Sequence, residues 1–479
     1  MMKKFPSIFN DVLSPVTPGP SSSNTCGPHR IASVCRRLLN EEPKELRIRM
    51  AEKGGYFDTF YGMQSDLAFI AGALGKDFLT YNLSNAVSDA KKEGLSTDFG
   101  FTGDLPEFPS ELAEITLSGK TESITATGVS LGGGEIEITR INGCPVRLDG
   151  KTYALVLFFA SGEVQVHRKN RPFSEKEIDE LKEGKKIRRS SQLVPVFPFR
   201  VLSDARLPFY TAEEMFSAAE RSGKSLWRLA IEYESALTGE SEDTLLSYAE
   251  KLYDISVGAI ETGLTRISDF GGVTSPKADR YARALSEGRL FPLGIADYGC
   301  LDALCIMEHS NAHGKIVCMP TGGASGIIPA AIINAGKELG FPKEKQIQSL
   351  MTAGLIGLFF YPTHYTGALG CQAEIGIAIS MASAALASMK TREPRIIEAA
   401  ASLGAQSVMG MICNPVNGYV QVPCIVRNMT AVPTAITCAN AALAGMDHII
   451  PLDETCRLML QVGKKLKPCN QAGTFNISL

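Results

Sequence analysis

With 479 residues, 44% of them hydrophobic and 21% charged, the chain is long enough to bury two or three domain cores. Its formal net charge of −3 and the lack of a long basic block exclude a general nucleic-acid binder and leave a small molecule as the expected partner. The opening stretch, MMKKFPSIFNDVLSP, has two lysines but no unbroken apolar core, so it does not read as a secretory signal and the expected location is the cytoplasm.

The first feature along the chain is GPSSSNTCGP, residues 19–28, which sets three consecutive serines between two Gly-Pro steps. Two readings stay open on these residues alone. Ser21, Ser22, Ser23, Asn24 and Thr25 cap the helix predicted over 30–40, or the same hydroxyls and amides hold a small anion at the positive helix end. YGMQSDLAFIAGALG predicts a second helix ending at Gly75. From Glu122 to Ser161 apolar and polar residues alternate around Gly132 to Gly134, with Asn-Gly at 142 and Asp-Gly at 149, which is hairpin chemistry. Residues 167–190 are strongly charged, so His167 is expected to be solvated, and VPVFPFRVLSDARLP is proline-spaced; together they predict a linker. From Thr211, with Glu214 in capping-box spacing, helix follows helix. MTAGLIGLFFYP and IGIAISMASAALASM are each shorter than the ~20 residues of a bilayer span and are interrupted by Gly, Ser or Pro, so they predict buried helices and no membrane partner. The expected architecture is an α+β N-terminal domain over 1–170, a charged and Pro-rich linker over 171–205, and an all-α domain over 206–479.

Twelve cysteines, most of them in apolar helical patterns, predict reduced thiols rather than a disulfide framework. Cys371, Cys413 and Cys424 stand apart because Gly, Pro, Asn or Gln border each of them, as at helix ends and turns where a side chain can face a ligand. Their separations of 42 and 11 residues match neither a zinc finger nor a ferredoxin run, so spacing alone leaves metal binding open.

GCQAEIGIAISMASAAL, CNPVNGYVQVPCIVRN and GKIVCMPTGGASGIIPAAI resemble the α part of the iron–sulfur L-serine dehydratases, and GPSSSNTCGP and SLGGGEIEITRING resemble their β part. The likeness is collinear over nearly the whole chain, as in the single-chain members. It implies a [4Fe–4S] cluster held by Cys371, Cys413 and Cys424, with one iron free of protein thiolate, and no pyridoxal phosphate. It further implies that Ser21, Ser22, Ser23, Asn24 and Thr25, with Thr321, Gly322 and Gly323, hold the carboxylate and amino group of a substrate. The catalytic positions it implies are Ser23, Asn24, Thr25 and Asp66; His29 and His364 are the histidines able to approach the site. The expected reaction removes water from a β-hydroxy amino acid, L-serine by default: an enamine forms, tautomerises and hydrolyses to a 2-keto acid and ammonia. A homodimer is the expected assembly.

Departures from the family pattern widen the choice. The family's serine turn runs Ser-Ser-Ser-His-Thr where this chain has Asn24, and its Gly-His-Gly-Thr-Asp segment aligns with YGMQSD, so Met63 takes a second histidine position while Asp66 remains. Neither replacement moves a proton near neutral pH. Asn414 stands where the family has Asp, Pro320–Gly323 replaces Pro-Thr-Ala-Gly, and the regulatory ACT module of some relatives is shortened and merged into the linker. Cys469 lies ten residues before Leu479, so the terminal-cysteine plug of some relatives is not carried over. Two further readings therefore stand beside serine dehydration: the same cluster chemistry on another β-hydroxy or β-substituted acid, and a non-catalytic cluster protein or sensor.

Overall fold

The computed structural model describes residues 5–52, 54–103, 105, 111–202, 205–267, 269–361 and 369–470, the side chains of 467–470 excepted. Residues 21–203 gather into one unit, and residues 1–20 with 204–479 into another.

In residues 21–203 the alternating stretches form a six-stranded sheet. Its strands run, edge to edge, Ser96–Thr102, Glu45–Ala51, Glu111–Ser118, Ser123–Gly132, Glu135–Ile141 and Cys144–Leu148. All neighbours are antiparallel except Glu45–Ala51 with Ser96–Thr102. Alternation sends Leu46, Ile48 and Met50, and likewise Ala113, Ile115 and Leu117, into the core shared with Ile31, Leu38 and Phe69 of the helices Gly27–Leu39 and Ser65–Ala73. Those helices touch because Gly72 has no side chain: a methyl there would meet Ala32 Cβ at 2.8 Å and strike the His29 carbonyl. The second helix begins at Ser65 rather than Tyr61, since Gln64 sits in the left-handed region at φ 58°.

The stretch expected to be a linker is folded. Glu175–Lys182 is a helix with a Ser174–Glu177 capping box, and Ile187–Leu193 pairs with Tyr153–Phe159, which pairs in turn with Val164–Lys169. Its charges lie on outer faces, while Leu155, Leu157, Phe173 and Ile178 make a small core of their own. His167 is part of this sheet, opposite Leu155, and its Nε2 is buried with no hydrogen-bond partner among the described residues, rather than solvated.

Residues 204–479 are helix-rich from Ala212–Ser222 to Leu452–Asn470. Thr211 caps the first helix by accepting from the Glu214 amide, but the Glu214 carboxylate accepts from Tyr210 N at 2.6 Å, one residue outside the expected box. The helix Ile375–Lys390 packs against Lys343–Phe360, Pro394–Gln406 and Gln421–Leu443. Among the described residues Cys371–Lys390 is the one stretch long and apolar enough to cross a membrane, and 89% of its apolar window is buried inside the unit.

Residues 1–20, expected in the first domain, pack with these helices instead. The reason is apolar: Ile8, Phe9, Val12 and Leu13 are fully buried. They seat on Lys343–Phe360 where two glycines leave room. A methyl on Gly354 would meet Ile8 Cγ2 at 2.6 Å, and one on Gly357 would strike Val12. Val16–Pro18 then pairs antiparallel with Lys315–Val317, the departure from an all-α domain among the described residues. Buried Glu234 accepts from the Ser7 hydroxyl and, at 2.8 Å, from the Ile8 amide.

Burial lifts the Glu234 carboxyl from 4.5 to about 7. The folded chain then binds more protons than the unfolded one across that window, so the stability Glu234 contributes is full below pH 4.5 and is lost as pH rises through 7. The loss amounts to roughly 3 kcal/mol. Urea unfolding from pH 4.5 to 7.5 measures it, and Glu234→Gln is expected to flatten that part of the profile.

Candidate functional site

In the unit of residues 21–203 the serine turn is a single wide turn, Ser22–Cys26, running directly into the helix Gly27–Leu39. Ser21 Oγ accepts from Asn24 N at 3.0 Å, so the capping reading describes Ser21. The turn is pressed onto the sheet: Ser130 Oγ donates to Ser23 O at 2.9 Å, and a methyl on Gly27 would strike Ser130. Thr25 Oγ1 donates to Met63 O at 3.1 Å and Ser65 Oγ donates to Asn24 O at 2.6 Å, which brings the YGMQSD segment alongside.

Asn24 is buried and its amide is fully engaged. Nδ2 donates to Ser23 Oγ at 3.2 Å and to Glu111 Oε1 at 3.1 Å, and the Thr59 hydroxyl lies 3.1 Å from Oδ1. The expected gripping residue is therefore spent on holding the turn together. Asp66, at the start of the helix Ser65–Ala73, has a carboxyl that burial raises to about 6, against the pull of the Asp66 and Leu67 amides. His29 stands apart from this work. It stacks on Phe78 with centroids 3.8 Å apart, its Nε2 meets the Lys76 carbonyl at 3.0 Å, and burial lowers its pKa to about 4, so it is a neutral core histidine. His364 lies outside the described residues, as does the side chain of Cys469.

The second group lies among the helices. Cys371 opens a short turn, Cys371–Ala373, ahead of the buried helix Ile375–Lys390; Cys413 sits in the loop after Pro394–Gln406; Cys424 is on Gln421–Leu443. The chain brings them together: the Cys413 and Cys424 thiols and the Arg427 guanidinium all act on the Cys371 sulfur. These contacts hold Cys371 well below the usual thiol range, and its charge pushes Cys413 and Cys424 well above it. Arg427 brackets Cys413, donating to Ile412 O at 3.0 Å and to Asn414 Oδ1 at 2.7 Å. An amide at Asn414 accepts that bond without neutralising the guanidinium, which leaves its charge to the thiolate.

Two polar residues that sequence reasoning missed hold this arrangement. Gln372, fully buried, donates from Nε2 to Leu369 O and Met459 O, both at 3.0 Å, and its Oε1 accepts from Gly410 N at 2.8 Å. Asn428 donates to Gly323 O at 2.7 Å and to Cys424 O at 2.8 Å, tying the Thr321–Gly323 turn to the Cys424 helix. A methyl on Gly323 would lie 3.8 Å from Cys424 Sγ and 3.6 Å from Glu374 Oε1, and Thr321 Oγ1 is buried with no hydrogen-bond partner among the described residues. Convergent thiols, a bracketing cation and an orphaned hydroxyl fit a group that takes thiolate ligands. No ready cage for a single metal ion occurs among the described residues.

Comparison with known proteins gives the same direction. Residues 221–471 match the family described as Serine dehydratase alpha chain. The L-serine dehydratase of Streptomyces coelicolor is 30% identical over 95% of this chain and 94% of its own length, and that of Haemophilus influenzae is 27% identical over 94% and 93%. The L-serine dehydratase alpha chain of Peptoniphilus asaccharolyticus is 29% identical over 53% of this chain and 89% of its own length.

A buried threonine hydroxyl normally stabilises through its hydrogen bond, and an unpaired one costs about 1–3 kcal/mol of desolvation. Thr321→Val in the cluster-free protein is therefore expected to leave the melting temperature unchanged or raise it, as read by calorimetry.

Proposed function

The chain belongs to the iron–sulfur L-serine dehydratase family and is a lyase of that kind; from that premise we propose that it uses a [4Fe–4S] cluster to eliminate water from a β-hydroxy amino acid, L-serine first, giving a 2-keto acid and ammonia. The observation that supports this reading is the convergence of Cys371, Cys413 and Cys424 beside the Arg427 guanidinium, since cysteine sulfurs are the ligands such clusters take. When bound, the cluster supplies Lewis acidity for the departing hydroxyl, so no pyridoxal phosphate is required. The residues of the chain do the rest. Ser21 and Ser22 offer hydroxyls to the carboxylate and amino group, and Asn24, Ser23 and Thr25 fix their turn; Thr321, its hydroxyl unpaired among the described residues, with Gly322 and Gly323, is assigned to the same ligand by the family likeness alone. Asp66 and the segment holding His364 belong to the proton-handling candidates. The reading keeps the expectation of a cytoplasmic homodimer acting on a small molecule.

A second substrate class is favoured by Asn24 and Met63, which put non-titrating side chains where the family carries histidines. Anaerobic reconstitution with iron and sulfide, followed by assay of keto-acid and ammonia release from a panel of β-hydroxy and β-substituted acids, separates the readings. The wild type is expected to take up iron and sulfide and to release both products from L-serine. Turnover confined to another member of the panel selects the second class, and iron uptake without any turnover selects the sensor. Cys371→Ser, Cys413→Ser and Cys424→Ser are each expected to lose iron and turnover together. Thr321→Val is expected to keep its iron while KM rises ~10-fold, the loss of one hydrogen bond to a charged group.

A further inference from the structure

Glu111 begins the central strand Glu111–Ser118 and was singled out by no sequence motif. Its side chain is partly exposed, yet among the described residues its carboxyl meets neutral partners: the Asn24 amide at 3.1 Å, the Ser23 hydroxyl and its own backbone amide. Asn24 Nδ2 spends its other hydrogen on Ser23 Oγ, which leaves the Ser23 hydrogen for Glu111, so the three side chains form one closed set. Tyr56 lies beside this set, almost fully buried, its hydroxyl without a hydrogen-bond partner among the described residues and within the field of the Glu111 charge. A methyl on Gly55 would come within 3.2 Å of Glu111 Cγ, so the carboxylate is confined from that side as well.

On the reading of the function given above, we propose that Glu111 is the base of the reaction: its carboxylate, fixed by Asn24 and Ser23, takes the α-proton of the amino acid held at the serine turn. The Cα–H bonding pair becomes the Cα=Cβ bond, and the β-hydroxyl leaves with its own bonding pair and is released as water once protonated. Asn24 is a positioning residue. It does for Glu111 what a donor does for any carboxylate, while Glu111 supplies the acid–base capacity that an amide at position 24 lacks. Burial raises the carboxyl from its ordinary value, the direction that strengthens a carboxylate base, and the groups facing it among the described residues, Ser23, Asn24 and Tyr56, carry no charge near neutral pH.

The test uses the reconstituted full chain. Glu111→Gln keeps the acceptor for Asn24 but cannot take a proton; kcat is expected to fall ~100-fold or more, with KM and iron content unchanged and the acid limb of the pH profile lost. Glu111→Asp is expected to recover part of the rate. Asn24→Leu removes a bond to the charged form, so the acid limb should move to higher pH. Independently of turnover, pH-difference infrared spectra of the cluster-free protein should contain a carboxyl band titrating above the ordinary range that is absent from Glu111→Gln. If the wild type turns over and Glu111→Gln keeps its kcat and acid limb, the assignment is overturned while the function stands. A loaded wild type that acts on no member of the panel overturns both.

Discussion

A thiolate buried in protein is expensive unless donors surround it, and the helical unit is arranged around the means of tolerating one. The neighbouring Cys413 and Cys424 thiols and the Arg427 guanidinium favour the thiolate of Cys371 against complete burial. Each donor depends on packing elsewhere. The Cys371 turn is pinned by Gln372 to the Gly410 loop and to the Leu452–Asn470 helix, and Cys424 is pinned through Asn428 to the Thr321–Gly323 turn. The apolar helices supply rigidity, but the charge decides which polar side chains must accompany them.

The other unit solves the corresponding problem for a carboxylate with neutral donors alone. Asn24 and Ser23 give Glu111 hydrogen bonds but no countercharge, so desolvation wins and the carboxyl sits above its ordinary range, whereas Arg427 and the two thiols push Cys371 below its own. Asn414 and Asn24 illustrate the same choice, since each amide makes a hydrogen bond where a charged or titrating side chain would have altered the balance.

Sequence patterns reveal positions whose local chemistry is unusual. Cys371, Cys413 and Cys424 are conspicuous through their turn-forming neighbours, the serine turn through its run of hydroxyls, and the helices through their periodicity. Glu111, Gln372, Asn428 and Arg427 are invisible to such reading because each is an ordinary polar residue whose importance comes from partners far away in the chain. The charged stretch after residue 170 misleads for a related reason: its lysines and glutamates describe the solvent face of a strand and helix, while the few apolar residues that fold it, Phe173 and Ile178 among them, are sparse enough to pass for a linker. Local pattern likewise gives no hint that Ile8 to Leu13 belong with helices on the far side of another unit in sequence, a pairing fixed by the room left at Gly354 and Gly357.

That last pairing imposes an order on synthesis. Ile8, Phe9, Val12 and Leu13 leave the ribosome ahead of residues 21–203, yet the helix that receives them is made only after those residues have emerged. Domains fold largely as units during translation, so the sheet-bearing unit can close while the apolar turn ahead of it still waits for its seat. Until then the turn is a sticky segment of an unfinished chain, and the contact it finally makes is of high sequence separation and correspondingly slow to form. Lys3 and Lys4, immediately upstream in sequence, place positive charge next to that exposed stretch, where like-charged chains repel rather than associate.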